Sequence, residues 1–186
     1  MRMKSLLTKN NSFCLLIDVQ EKLYPTIHEK EILLENISFL VNGLNILEIP
    51  ILVTEQYPKG LGKTIPDLTS LVKVKGLEKN EFSAWLNPNI KQEIIKLDKQ
   101  QVIIVGIESH VCVLQTALQM ISHGFEVFIP EECVSSRTKA HKLQSIQRMQ
   151  SAGAIITNAE SCLFEMMETS SHPQFKKISQ LIKDRT

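Results

Sequence analysis

Long apolar runs are missing from this 186-residue chain. Nothing in it approaches the ~20 consecutive apolar residues that a membrane span needs, so no membrane partner is expected. Glycine and proline are scarce, seven of each, which excludes a collagen-like or linker-dominated chain. An excess of one charge is also absent: 21 Lys plus Arg stand against 20 Asp plus Glu, a formal net charge of +1. That balance argues against a surface built mainly for nucleic acid. The four cysteines, Cys14, Cys112, Cys133 and Cys162, are widely spaced and contain no C-x-x-C pair. Residues 1–11 are basic and then polar, without the apolar core of an export signal, and read as a polar N-terminal extension. The cysteines therefore read as reduced thiols of a cytoplasmic protein, with a short organelle-targeting role for the extension as the other reading.

What is present is the mix of a globular protein, 43% hydrophobic and 22% charged. A chain of this length buries roughly 70% of its unfolded surface and needs neither disulfide nor metal for its core. One domain over residues 1–186 is expected. Six short β-branched runs recur: Phe13–Asp18, Ile49–Thr54, Leu71–Val74, Gln101–Gly106, Glu126–Pro130 and Ala154–Thr157. Three of them are nearly continuous apolar strings, as in strands covered on both faces. Between them, Glu31–Leu47 repeats its apolar residues with a helical period. Val111–His123 and Lys139–Ser151 read as helices closed by Gly124 and Gly153, and a last amphipathic helix follows His172-Pro173. Alternating strands and helices imply a parallel sheet with helices on both faces, because parallel neighbours need long crossovers. Ligands of such sheets bind beyond the carboxyl ends of the strands.

Three reactive side chains fall at those ends. Asp18 closes the first strand, where partial shielding suits a general base; its spacing to Glu21 equally suits a helix cap. Cys112 falls in the first turn of the helix after the fourth strand, where the helix dipole favours a thiolate. Buried cysteine is also ordinary packing, the reading that fits Cys14, Cys133 and Cys162. Lys79, after the third strand, could hold the Asp18 carboxylate and stabilise an anion, or could be a solvated surface charge. An activated thiolate at Cys112 would also be open to oxidation, so a redox role is a further reading.

The ordered set of motifs is more specific than any member. D-x-Q (Asp18, Gln20), K-x-x-F-S-A (Lys79 to Ala84) and G-x-x-S-x-x-C-V-x-x-T-A (Gly106 to Ala117) resemble the isochorismatase-like cysteine hydrolases over residues 12–183. The stretch Val53 to Gly62 and the Ser135-Ser-Arg137 turn resemble the isochorismatase-domain-containing branch. The resemblance implies a Rossmann-like three-layer α/β/α fold whose six-stranded, mostly parallel sheet runs 3-2-1-4-5-6. It implies Cys112 as nucleophile, Asp18 as its base and Lys79 as third member of a triad. It also implies a non-proline cis peptide at Ile107–Glu108 and an oxyanion hole from the N–H groups of Glu108 and Cys112. The expected activity is amide-type C–N hydrolysis of a small molecule, without cofactor, by a homo-oligomer; a binding module that keeps the triad is the alternative. Tyr24, Gln56, Phe82 and Trp85 flank the motifs as candidate pocket residues.

Departures narrow the activity. Nicotinamidases of this family hold zinc through Asp-x-His after the second strand, whereas this chain has Thr54-Glu-Gln-Tyr-Pro and no histidine between His28 and His110. No metal is expected. His110 lies two residues from Cys112, a spacing that does not face one helical side chain with another. Gly60-Leu-Gly-Lys-Thr64 imitates part of a phosphate loop but lacks its first glycine, where Tyr57 stands.

Overall fold

A computed structural model describes residues 6–185; the first five residues of the polar extension lie outside it. The central strand β1, Ser12–Ile17, is buried along its whole length because apolar side chains face both ways. It pairs in parallel with β2, Ile51–Gln56, and with β4, Gln101–Gly106, aligning Leu15 with Leu52 and with Ile104. Outward from these lie β3, Leu77–Lys79, on one side and β5, Glu126–Pro130, then β6, Ile155–Thr157, on the other. The parallel sheet is ordered β3-β2-β1-β4-β5-β6, a three-layer Rossmann-like arrangement.

One face of β1, with Cys14 and Leu16, packs under α1 (Lys30–Ile46), α3 (Pro66–Val72), α7 (Ala159–Met167) and α8 (Phe175–Lys183). The other face, with Phe13, Leu15 and Ile17, packs under α4 (Pro88–Lys96), α5 (Leu114–Ser122) and α6 (Lys139–Ala152). Leu7 is fully buried and the Thr8 N–H donates to the Gln101 side chain at 2.8 Å, so this part of the extension docks on the core.

The third strand is not where its apolar run suggested. Pro66 starts α3 at its first position, where the missing N–H costs nothing. This draws Leu71 and Val72 into a helix that buries Leu68 and Val72 four residues apart. The strand forms three residues beyond the expected Leu71–Val74 run, at an edge with only Lys79 buried. Helices α4 and α7 were not anticipated. Asn87 and Asn158 cap them, accepting backbone N–H bonds from Asn89 and Ile90 and from Ser161, and Pro88 opens α4.

Strand order reverses between β1 and β4, and the two chains touch as they leave the sheet. A Cβ on Gly106 would collide with the Ile17 carbonyl, and Gly106 has φ of 113°, so only glycine fits there comfortably. The Ile107 N–H still donates to the Ile17 carbonyl at 2.9 Å.

Candidate active site

Asp18 follows the last residue of β1 with a φ of 53°, a left-handed conformation that Asp tolerates better than most residues. It caps no helix. Its carboxylate accepts from the Thr54 hydroxyl at 2.7 Å through Oδ1 and from the Lys79 ammonium at 2.6 Å through Oδ2. Both charged side chains are wholly shielded from solvent. Lys79 is the last residue of β3 rather than a loop residue, and its register against Gln56 of β2 aims it inward. Its Nζ also donates to Gln56 Oε1 at 2.6 Å and lies 3.2 Å from the carbonyls of Glu81 and Phe82.

Gln56 is itself held. Its Nε2 donates to the Asn80 carbonyl at 2.8 Å, and its N–H donates to Gln20 Oε1 at 2.8 Å. Gln20 Nε2 donates in turn to the carbonyls of Gln56 and Gly62 at 3.0 and 2.7 Å. The chain of amides that starts in the D-x-Q motif thus sets the lysine, and the lysine sets the carboxylate. Thr54 went unnoticed in the sequence; its only signal there is a hydroxyl at a strand end.

Cys112 sits in a π-type turn, Ser109–Val113, ahead of α5 rather than in the first turn of the helix proper. Its thiol feels the charges of both Asp18 and Lys79. Burial, then the Asp18 charge, push the thiol up to about 12, against the lowering influence of Lys79. Burial therefore works against the thiolate that a helix dipole would favour. The Ile107–Glu108 peptide is cis. Among the described residues, neither the Glu108 nor the Cys112 N–H donates to an acceptor outside the turn.

The remaining candidates divide. Gln56 accepts from Lys79 through its side chain and Phe82 accepts from Lys79 through its backbone carbonyl, while Phe82 is otherwise exposed. Tyr24 packs toward α1 and spends its hydroxyl on the Lys30 carbonyl at 3.1 Å. Trp85 is a core residue against Phe125 and His123 near the far end of α5. Beside the site, a cleft of about 370 Å³ is lined by Tyr57, Lys79, Asn80 and Asn87 among others. His110 turns away from the triad to Ser136. The truncated phosphate-loop string is filled from within: Glu55 accepts from the Thr64 N–H and hydroxyl, and Lys63 pairs with Glu55 and Glu78. Among the described residues no group of three His, Cys, Asp or Glu side chains could hold a metal ion, and no helix is long and apolar enough to cross a membrane.

An ion pair and a thiol are thus buried at the switch point of the parallel sheet of an α/β/α protein. The Isochorismatase domain profile matches residues 12–161, and the chain belongs to that family. It is 36% identical over 177 residues to isochorismatase domain-containing protein 2 of Danio rerio, covering 95% of this chain and 89% of that one. It is 34% identical to isochorismatase family protein 1A of Dictyostelium discoideum, covering 96% and 89%. Among solved structures, the MAR1 ribonuclease of Caenorhabditis elegans superposes with a TM-score of 0.89 at 35% identity, covering 96% and 93%. The YcaC gene product of Escherichia coli, described as an octameric hydrolase of unknown specificity, shares the fold with a TM-score of 0.87 at 22% identity over the full length of both chains.

Proposed function

We propose that this chain is a cysteine hydrolase that cleaves an amide-type C–N bond of a small molecule through a Cys112 thioester. The observation that carries this reading is the solvent-free Asp18–Lys79 pair, 2.6 Å apart, placed against a buried thiol. Such a pair seldom adds net stability over apolar packing, so its presence at a ligand-binding edge favours chemistry.

In this mechanism Asp18 accepts the thiol proton as sulfur attacks the carbonyl carbon, so the thiolate exists only as the bond forms. The N–H groups of Glu108 and Cys112 hold the resulting oxyanion. Collapse breaks the C–N bond, and protonated Asp18 returns the proton to the departing nitrogen. Water then gives a proton to Asp18 and adds to the thioester; the acid leaves and the thiol is reformed. Lys79 keeps Asp18 oriented and offsets its charge throughout. No group beyond these side chains and water is needed.

A homo-oligomer is part of the proposal, in line with the octamer named for the Escherichia coli fold relative. A reducing, cytoplasmic setting agrees with four buried free cysteines. The ribonuclease name of the Caenorhabditis elegans relative makes RNA the competing substrate; near-neutral net charge favours a small molecule. The decisive experiment incubates the chain with a panel of small amides and with RNA, and searches for an acyl adduct by mass spectrometry. An adduct on Cys112 with amine release establishes the reading. RNA cleavage that survives in Cys112→Ala replaces it, and neither activity leaves a binding module.

A further inference from the structure

A second concavity opens on the β5 side of the same sheet end. Between the Cys112 turn and α6 lies a crevice of about 210 Å³, lined by His110, Leu114, His141, Gln144, Ser145 and Arg148. No carboxylate is in that lining. Helix α6 carries Lys139, Lys142 and Arg148 and contains no Asp or Glu. Among the described residues, none of these three cationic side chains has an ion-pair or hydrogen-bond partner.

The floor is rigid. Ser145 Oγ donates to Ser109 Oγ at 2.9 Å, and Ser109 and Ser136 share a further hydroxyl bond. His110 Nδ1 is engaged by Ser136 Oγ at 2.9 Å, leaving Nε2 without a protein partner among the described residues. His141 stacks on His110 with ring centroids 4.6 Å apart and planes at 28°. Glu108, the acid that acts on His110, is gripped by Arg137 through both oxygens at 2.7 and 3.1 Å. The crevice therefore offers imidazole, amide and guanidinium donors with no carboxylate of its own.

We propose that this crevice binds the oxyanion group of a small molecule, a carboxylate or a phosphate, through His110, His141, Gln144 and Arg148. Cys112 is not among the lining residues, and the proposal does not depend on the hydrolase reading. Burial, with His141 and Arg137, pulls His110 down, against the raising influence of Glu108. A bound anion opposes that and draws protons in, so binding tightens as pH falls. The charged groups around His110 are Glu108, Arg137, His141 and Arg148, of which only Glu108 is negative.

The test follows imidazole NMR resonances of the full chain during titration with sulfate, which itself does not titrate near neutrality, at about pH 6 and pH 8. Saturable shifts of His110 and His141, tighter at the lower pH, are expected. Arg148→Gln and His141→Gln, both at exposed positions that leave the fold intact, should each weaken binding about tenfold. Lys139→Gln, outside the crevice, should weaken it less than about twofold. A phosphomonoester and a dicarboxylate, titrated in parallel, distinguish the two sources of the oxyanion. Absence of a saturable shift with every anion, equal weakening in Lys139→Gln, or an oligoribonucleotide that binds far more tightly than a mononucleotide would overturn the proposal.

Discussion

Cys14 and Cys112 are both buried thiols, each pushed up to about 12, yet they sit in two different regions. Cys14 lies in the body of β1 among apolar side chains, and burial alone explains its acidity. Cys112 lies beyond the strand ends, and its thiol feels a carboxylate and an ammonium pulling in opposite directions. The difference teaches that burial by itself silences sulfur. A base and a cation enclosed with it supply the means to move its proton at the moment of reaction.

The largest test of that contrast is Cys112→Ala against Cys14→Ala. The first should remove covalent labelling and turnover, a loss of at least about 10³-fold; the second should leave the labelling rate of Cys112 within about threefold while costing stability in the core. Equal labelling of both wild-type thiols by an alkylating reagent would break the comparison. Next, Asp18→Asn should lower turnover and Cys112 labelling by about 10²–10⁴-fold. It should also destabilise the fold by about 3–5 kcal/mol, because Lys79 stays buried without its carboxylate; urea denaturation reads the second effect.

The pH dependence sharpens what the two thiols share. Their pKa values are raised from 9.0 to about 12 on folding. Below about pH 9 both states hold these protons, and stability is pH-independent on this account. Above it the unfolded chain loses protons that the folded chain keeps, so stability falls as pH climbs from 9 toward 12. At pH 10.5 the loss is about 2 kcal/mol per thiol, and Cys14→Ala should remove one share of the slope in urea titrations. A smaller effect is expected of Gln56→Leu: labelling of Cys112 slows about three- to tenfold and its pH profile shifts, as Lys79 loses one acceptor. Gln56→Glu, which restores an acceptor, should recover part of the rate, whereas a purely structural role would move neither. Smallest of all, Lys63→Ala removes an exposed pair to Glu78 and one to the buried Glu55, which keeps its two bonds from Thr64, and should cost about 1 kcal/mol.

Much of this was legible in the chain itself. The apolar strings of β1, β2 and β4 can be buried only in a sheet covered on both faces, and helices with a single apolar stripe can cover it. Leu71–Val74 misled because a β-branched apolar run does not reveal whether it ends a helix or forms a strand; Pro66 five residues upstream decides it. The caps at Asn87 and Asn158 were visible, but each opens a helix of only nine residues. At the site, Asp18, Lys79 and Cys112 were marked by type and strand-end position. Thr54 was not marked, because a hydroxyl has no chemistry until a carboxylate stands 2.7 Å away. Trp85 looked like a pocket residue from its neighbours in sequence, while packing against Phe125 places it in the core.

By itself, then, the amino-acid order determined the layered α/β architecture, through the alternation of short apolar runs and amphipathic stretches, and it determined which reactive side chains end the strands. Only the tertiary structure decided that residues 18, 79 and 112 meet, that Gln56 and Gln20 hold the lysine, and that burial works against the thiolate. Pattern along a chain reports which faces avoid water. Distance and desolvation between remote residues, which set proton affinity, exist only once the sheet has brought its strand ends to one edge.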